Sequence, residues 1–379
     1  MNATQRSSST ELAATASYRI SFFLNPVPTG ASKCHHLRFL TLTDPSGHSE
    51  QNSLYSLMRT LAADARTTSL HVASRNDPRN AAFFQNRGQH ALYATPVDAT
   101  FTFDPSEGLF NNAEQTVTAT EVDVLLLRLP RPIPDGFFDG LRRWLGAEQP
   151  IINDPDGIQL TGNKAFLLNF PDCCPPMQLV RTEAEVRAFA ARFPIVLKPL
   201  REYGGKGIVQ IRDGRVLTGD AELSLPNYLP TIREQLESEG MLAMQYLERV
   251  SEGDKRILVV NGIILAASLR LPAAGGWLCN VAQGGSSHGS EATAAEKRIV
   301  STIAPHLRAA GIVFYGVDTL MGNHGERVLS EINTLSVGGF PQAEAQTGRP
   351  VLQQAIDGIF EYLERREFSK GPAFKGRTH

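Results

Sequence analysis

The stretch that most constrains this chain runs from Ile195 to Ile211: Ile-Val-Leu-Lys-Pro-Leu-Arg-Glu-Tyr-Gly-Gly-Lys-Gly-Ile-Val-Gln-Ile. Ile195-Val196-Leu197 is a buried-strand pattern that delivers Lys198 to its end, and Pro199 is expected to bar further pairing. A polar turn, Tyr203-Gly204-Gly205-Lys206-Gly207, leads into a second strand from Ile208 to Ile211. Glycines accept positive φ and let backbone approach a ligand closely, so successive N–H groups can point at phosphate oxygens. Both the P-loop and the Rossmann fingerprint need a helix after the glycines, so this strand–loop–strand is neither. An ordinary hairpin with a flexible tip would account for the glycines alone. Lys198 at the strand end favours a nucleotide.

The 379 residues suffice for two or three domains with buried cores, and 42% hydrophobic content is ordinary for a globular protein. A net charge of −2 argues against nucleic acid or an acidic membrane surface as the main partner. Cys34, Cys173, Cys174 and Cys279 form no CxxC pair, which points to a reducing, cytoplasmic setting without a zinc knuckle or disulfide framework. Met1 to Ser17 reads as a disordered tail, and no apolar run approaches membrane-spanning length.

Arg19 to Leu24 reads as a first strand, Ser53 to Asp64 as a helix and Ser69 to Ala73 as a second strand. Weakly patterned residues follow as far as Val122–Arg128, a continuous apolar run typical of a parallel strand covered on both faces. A helix over Asp135–Leu145 and a strand over Pro150–Asn153 complete an open α/β first domain, 18–153. The second region, 154–225, opens with a helix from Asp154 to Phe170 and a capping-box helix at Thr182. The third, 226–367, takes a helix at Tyr228–Glu239 and strands at Met241–Leu247, Arg256–Val260 and Ile263–Leu269, the last two joined by the hairpin signal Asn261-Gly262. Leu271 to Ser290 is too rich in glycine and serine for core. Helix Glu291–Ala310, strands Val313–Met321 and Arg327–Asn333, helix Leu352–Glu367 and a basic tail, 368–379, follow.

Three features join the glycine loop. Folding the Val313–Asn333 hairpin brings Asp318 opposite Ser330 and Glu331, with Glu331 and Asn333 on one face. Two carboxylates and an amide oxygen form a hard-oxygen set suited to Mg²⁺, with Mn²⁺ as a substitute, although a solvent-facing hairpin would also carry such charges. Gln245-Tyr246-Leu247 ends an apolar strand in a shape that can wall an adenine. Gly253-Asp254-Lys255-Arg256 begins a strand with concentrated charge, where Asp254 could meet ribose and Arg256 an anionic substrate; a solvated turn is the commoner meaning of such a run.

Together these marks resemble the ATP-grasp superfamily and, within it, bacterial glutathione synthetase, over roughly Val122 to Leu363. The marks are Asn163-Lys164, Ile195 to Leu200, Gly204 to Ile208, Gly253 to Val260, Asn280-Val281-Ala282 with Gly284-Gly285, and Glu331-Ile332-Asn333. The resemblance implies an ATP-grasp fold: an N-terminal open α/β domain, a small central lid domain and a C-terminal α+β domain. It implies that Lys164 and Lys198 bind the ATP phosphates under a small loop formed by Gly204, Gly205, Lys206 and Gly207. It assigns Gln245, Tyr246 and Leu247 to adenine, Asp254 to ribose, and Asp318, Glu331 and Asn333 to magnesium. Arg256 and Arg270 hold the acyl substrate and its phosphorylated form, and with Lys198 make up the catalytic set. Arg128 faces the substrate from the N-domain, and a large lid spans Leu271 to Gly289, with Asn280 among the substrate-binding residues.

The implied reaction joins a carboxylate to an amine through an acyl phosphate, most simply γ-glutamylcysteine to glycine with ATP. The partners are small molecules rather than nucleic acid or membrane, and the enzyme is expected to be a homo-oligomer. The chain departs from the family after Asn333: Thr334-Leu335-Ser336-Val337-Gly338-Gly339-Phe340 replaces a Ser-Pro-Thr-like turn, placing Ser336, Gly338 and Gly339 at the substrate pocket. Ser286-Ser287-His288 stands where an arginine usually follows the two lid glycines. The donor and acceptor therefore stay open, and another ATP-grasp ligase is the second reading. A non-catalytic nucleotide-binding module is a third, disfavoured by retention of both lysines and all three metal ligands.

Overall fold

The computed structural model describes residues 36–88, 90–202, 204–218, 221–272 and 285–370, with side chains as far as 366. The expected strand at Arg19–Leu24 and most of the expected lid lie outside the described residues.

Three sheets follow one another along the chain. The first contains β1 (Leu37–Thr43), β2 (Thr67–Ser74), β3 (Ala91–Pro96), β4 (Gln115–Thr118), β5 (Val124–Arg128) and β6 (Ile151–Ile152), in the order β4-β3-β2-β1-β5-β6. Strands β2, β1, β5 and β6 are parallel, and β3 and β4 extend the edge antiparallel. The continuous apolar run at β5 is covered on both faces, as its sequence requires: Val124 and Leu126 pack in one core, Leu125 and Leu127 in another. Strand β1 escaped the sequence reading because threonine at 41 and 43 interrupts its apolar pattern. Both are wholly buried, and the Thr41 hydroxyl lies 3.0 Å from Met58 Sδ on the helix Ser53–Ala63.

The middle sheet contains β7 (Met177–Val180), β8 (Ile195–Pro199), β9 (Val209–Arg212), β10 (Arg215–Leu217), β11 (Glu222–Ser224) and β12 (Met241–Gln245), in the order β11-β10-β9-β8-β12-β7. The strand–loop–strand is present: Ile195 pairs with Ile211 and Leu197 with Val209. Pro199 does not stop pairing, for it stands opposite Met241 on β12; proline lacks a donor but keeps its carbonyl. The stretch after Ile211 forms the β10–β11 hairpin, and β12 joins this sheet from beyond residue 225. The expected Asp154–Phe170 helix is two pieces, Pro155–Thr161 and a 3₁₀ turn Lys164–Asn169, because Asn163 caps the second by accepting from Ala165 N.

The third sheet, β15-β14-β13-β16-β17, is antiparallel: β13 (Asp254–Val260), β14 (Ile263–Leu271), β15 (Ser286–Ser290), β16 (Phe314–Met321) and β17 (Arg327–Asn333). Asn261 and Gly262 both take positive φ, as the hairpin signal requires. Ser286 to Ser290, read from composition as loop, is an edge strand held by backbone pairing to β14. A helix at Phe340–Thr347, also missed, precedes the last helix, Val351–Lys370.

Alternation along β8 decides where a site can lie. Ile195 and Leu197 point into the core beneath the helix Glu183–Ala190, while Val196 packs on the opposite face with Met244, Leu320 and Val328. Lys198 shares that second face. The middle and third sheets therefore face one another, with Lys198 between them.

Candidate active site

Two cavities open on this junction. The smaller, about 90 Å³, lies between the sheets and is lined by Val196, Lys198, Gly205, Gln245, Tyr246 and Leu247, with Asp254, Asp318 and Glu331 at its end. The larger, about 390 Å³, is lined by Pro130, Arg131, Lys164, Phe166, Arg201, Arg256, Arg270 and the 331–338 segment. Among the described residues the two cavities share only Asp318 and Glu331.

Strand register creates this point. Asp318 on β16 stands opposite Glu331 on β17 and opposite Arg256 on β13, and Gly316 stands opposite Asn333. Arg256 chelates the Asp318 carboxylate, with Nη2 to Oδ2 at 2.7 Å. Arg270 Nη2 lies 3.0 Å from the same oxygen, and Asn333 Nδ2 donates to it at 3.0 Å. Burial disfavours the Asp318 charge, but the guanidinium groups of Arg256 and Arg270 outweigh it and hold the carboxyl well below the usual range. Asp254 pairs with Arg270 at 2.7 and 2.6 Å, yet burial, with Asp318 adding repulsion, pushes it up to about 6. Arg270, between two carboxylates, stays charged despite burial, because Asp318 and Asp254 raise its pKa.

The two lysines approach from the other side. Lys198 is buried, which lowers its pKa, while Glu331 and Asp318 draw it back toward the charged form. Lys164 Nζ lies 3.2 Å from Glu331 Oε1 and donates to the Glu202 carbonyl, and its own N–H bonds Leu200 O at 2.9 Å. Residues 162–164 are thereby tied to the segment that enters the glycine loop. Gly204, Gly205 and Gly207 all take positive φ, and a Cβ on Gly207 would lie 2.9 Å from Pro199 Cγ, so this loop folds back onto β8 only with glycine there.

The structure brings together most of the residues singled out from sequence. Lys198, Gly205, Gln245, Tyr246, Leu247 and Asp254 line the smaller cavity. Lys164, Gly204, Arg256, Arg270, Asn333, Ser336 and Gly338 line the larger one. Lys206 and Gly207 lie on the loop but line neither, Gly339 N bonds Ser53 Oγ at 2.9 Å, and Asn280 lies outside the described residues. Arg128 lines neither. It lies behind the 336–338 turn, its Nη2 donating to Val337 O at 2.8 Å, and burial lowers it to about 10. Arg131, Arg201 and Phe166 occupy the larger cavity instead, and no sequence signal marked them beyond closeness to β5, Lys164 and Lys198.

The donor set can be tested against a divalent metal. Among the described residues no three His, Cys, Asp or Glu side chains converge, so a third side-chain ligand here would be an amide. Asn333 donates to Asp318 through Nδ2, which leaves Oδ1 as a ligand oxygen, and Glu331 keeps Oε2 beyond its contact with Lys164. With Asp318 this is an all-oxygen set with the hardness that Mg²⁺ or Mn²⁺ needs, and the residues fit.

The fold and this site define an ATP-grasp protein. Its fold matches D-cycloserine synthetase, with a TM-score of 0.59 at 14% identity over 86% of this chain and 99% of that one. It also matches D-alanine–D-alanine ligase from Bacillus anthracis complexed with ATP, at 0.52 and 16% over 88% and 99%. Residues 163–348 match the family model of the prokaryotic glutathione synthetase ATP-grasp domain. Glutathione synthetase of Pseudomonas aeruginosa is 30% identical over 317 residues, 82% of this chain and 93% of that protein. That of Bradyrhizobium diazoefficiens is 32% identical over 232 residues, 60% and 69% of the two chains. The chain belongs to the prokaryotic glutathione synthetase family, and it is an ATP-dependent ligase that forms C–N bonds with a divalent metal. No helix among the described residues is long and apolar enough to cross a membrane.

Proposed function

We propose that the enzyme joins the C-terminal carboxylate of γ-glutamylcysteine to glycine, using Mg-ATP and passing through an acyl phosphate. The observation that carries this reading is the meeting of two cavities at Asp318 and Glu331, with Lys198 in the smaller and Lys164, Arg256 and Arg270 in the larger. Nucleotide would enter the smaller cavity, its adenine against Gln245–Leu247 and its phosphates between Lys198, Lys164 and the Gly204–Gly207 loop. Asp318, Glu331 and Asn333 would hold Mg²⁺, which when bound offsets phosphate charge and brings nucleotide and acceptor oxygen into line.

The donor carboxylate would lie in the larger cavity at Arg256 and Arg270. Lys164 and Lys198 supply positive charge toward the phosphoryl group as it moves, with no protein nucleophile. Arg270, kept protonated by Asp254 and Asp318, faces the tetrahedral state formed when the amine attacks and phosphate departs.

A second reading has its own observation. The Thr334 hydroxyl is engaged by Thr161 at 2.9 Å, and the turn beyond it offers Leu335, Val337 and Gly338 with Ser336 its single side-chain hydroxyl, so an amine bulkier than glycine would meet a mostly apolar wall. Apolar contacts separate neighbouring amines by only about 1–3 kcal/mol. The test is a competition of glycine, alanine, serine and larger amines for γ-glutamylcysteine and ATP, with products identified by mass. Glutathione as the main product is expected. No ligated product from γ-glutamylcysteine with any amine, alongside product from another carboxylate, would overturn the reading.

A further inference from the structure

The larger cavity carries more positive charge than the activated carboxylate and phosphates require. Arg256 is paired with Asp318, Arg270 with Asp254 and Asp318, and Lys164 with Glu331. Two further cations, Arg131 and Arg201, line the same cavity and not the smaller one; with Glu202 also there, the lining carries five cationic side chains against three carboxylates. Arg201 is exposed and takes no ion pair or hydrogen bond among the described residues.

Backbone contacts place both arginines around one short segment. A Cβ on Gly162 would lie 3.0 Å from Arg131 Nη2, so this guanidinium rests against the bare glycine backbone. Two residues on, Lys164 bonds both Leu200 O and Glu202 O, the carbonyls that flank Arg201. Both arginines thus adjoin the Gly162–Lys164 segment, and Arg201 takes no part in the Asp318 pairing that would hold the reacting carboxylate.

We propose that Arg201, with Arg131 beside it, recognises an anionic group of the acyl donor remote from the carboxylate that is activated. The donor class is then a dicarboxylate, and the α-carboxylate of a γ-glutamyl unit supplies the second anion. This rests on the reading that an acidic dipeptide occupies the larger cavity. A guanidinium fork pairs a carboxylate bidentately, so the arginines act as specificity residues.

The experiment compares γ-glutamylcysteine with 4-aminobutanoylcysteine, which lacks only the α-carboxylate, in the intact chain and in Arg201→Gln, Arg201→Lys and Arg131→Gln. Calorimetric affinities are read for both ligands, together with KM and kcat wherever product forms. In the unchanged protein the decarboxylated ligand should bind about 10–100-fold more weakly, the range of a charged hydrogen-bonded contact. Arg201→Gln should weaken γ-glutamylcysteine by a similar factor, leave the decarboxylated ligand within twofold and keep kcat within about threefold. Lysine should restore part of the loss. Arg215→Gln, an exposed charge on β10, controls for net charge and should change neither.

Equal weakening of both ligands in Arg201→Gln, no effect on either, or no binding of either by the unchanged protein would overturn the inference. Should γ-glutamylcysteine bind with this charge dependence yet yield no product with any amine, the glutathione reading fails and the anion site stands.

Discussion

Asp318 and Glu331 face each other across β16 and β17, yet their replacement by the neutral amide should destabilise the fold to very different extents. The Asp318 carboxylate is 3% exposed and accepts from Arg256, Arg270 and Asn333. Asp318→Asn leaves Arg256 without its carboxylate and Arg270 with Asp254 alone, and breaking a buried pair by removing one partner costs about 3–5 kcal/mol. The Glu331 side chain is 28% exposed and has Lys164 as its ion-pair partner, so Glu331→Gln should cost no more than about 1 kcal/mol. Both variants should lose ligase turnover if, as proposed, each removes the charge of a metal ligand. Thermal melts with circular dichroism and an ADP-release assay separate the effects. The expected result is a midpoint lowered by on the order of 5–10 °C for Asp318→Asn and by a degree or two for Glu331→Gln, with activity lost in both. Equal melting shifts would refute the burial argument, and normal turnover in Glu331→Gln would refute its assignment to the metal.

Asn153 ties the first sheet to the third: its side chain bonds Phe314 O at 2.6 Å, Thr334 O at 2.7 Å, and the N–H groups of Val313 and Phe314 at 2.8 Å. Asn153→Ala strands these buried groups at about 1–3 kcal/mol each and should shift the urea midpoint by more than any surface variant; an unchanged midpoint would contradict this. A Cβ on Gly157 would lie 1.9 Å from Ala310 O, so Gly157→Ala should destabilise by at least about 3 kcal/mol, whereas the same change at Gly214, with open space around it but a φ of +73°, should cost only the roughly 1–2 kcal/mol of left-handed backbone in parallel urea melts. The Asp64 carboxyl is held near a pKa of about 2 by Arg66, which lowers it below the ordinary value. Its pairing therefore stabilises fully above about pH 4 and is lost as the pH falls toward 2, worth roughly 1 kcal/mol after solvent screening; Asp64→Asn should flatten that part of the stability–pH curve.

The legible parts of this molecule are those in which one local rule decides the outcome. The β8–β9 hairpin was readable because an apolar run, a lysine and three glycines leave the chain few alternatives, and the Asn261-Gly262 turn because few pairs tolerate positive φ twice. The helix at Glu183 begins at its capping box, with Thr182 and Glu185 each satisfying the other's backbone. What escaped depends on partners distant in sequence. Strand β15 consists of Ser-Ser-His-Gly-Ser and is a strand because β14 offers it a ladder. Arg128 ends β5 and Arg131 follows three residues later, and nothing local tells which turns toward the cavity and which is buried behind Val337. The same holds for Arg201, whose position is set by what Lys164 does to the carbonyls on either side of it.

Register explains why the reacting end of the site and its substrate walls are separable. Glu331, Asp318 and Arg256 form a row across β17, β16 and β13, and Asp254 faces Arg270 across β13 and β14. Directly opposed carboxylates repel, so a row that places Asp318 beside Glu331 holds together only with cations adjacent, and the next strand supplies one at the matching position. These groups cannot shift independently, because a one-residue slip would turn each of them to the other face of the sheet. The larger cavity is otherwise walled by residues 130–131, 161–164, 166–167, 201–202, 204 and 334–338, which are mostly loop, turn and 3₁₀ helix. Substitutions there alter the shape and charge offered to donor and amine while leaving the strand row untouched. Substrate preference is therefore the property of this chain that family membership determines least, and Arg131, Arg201 and the Leu335–Gly338 turn are the positions at which to measure it.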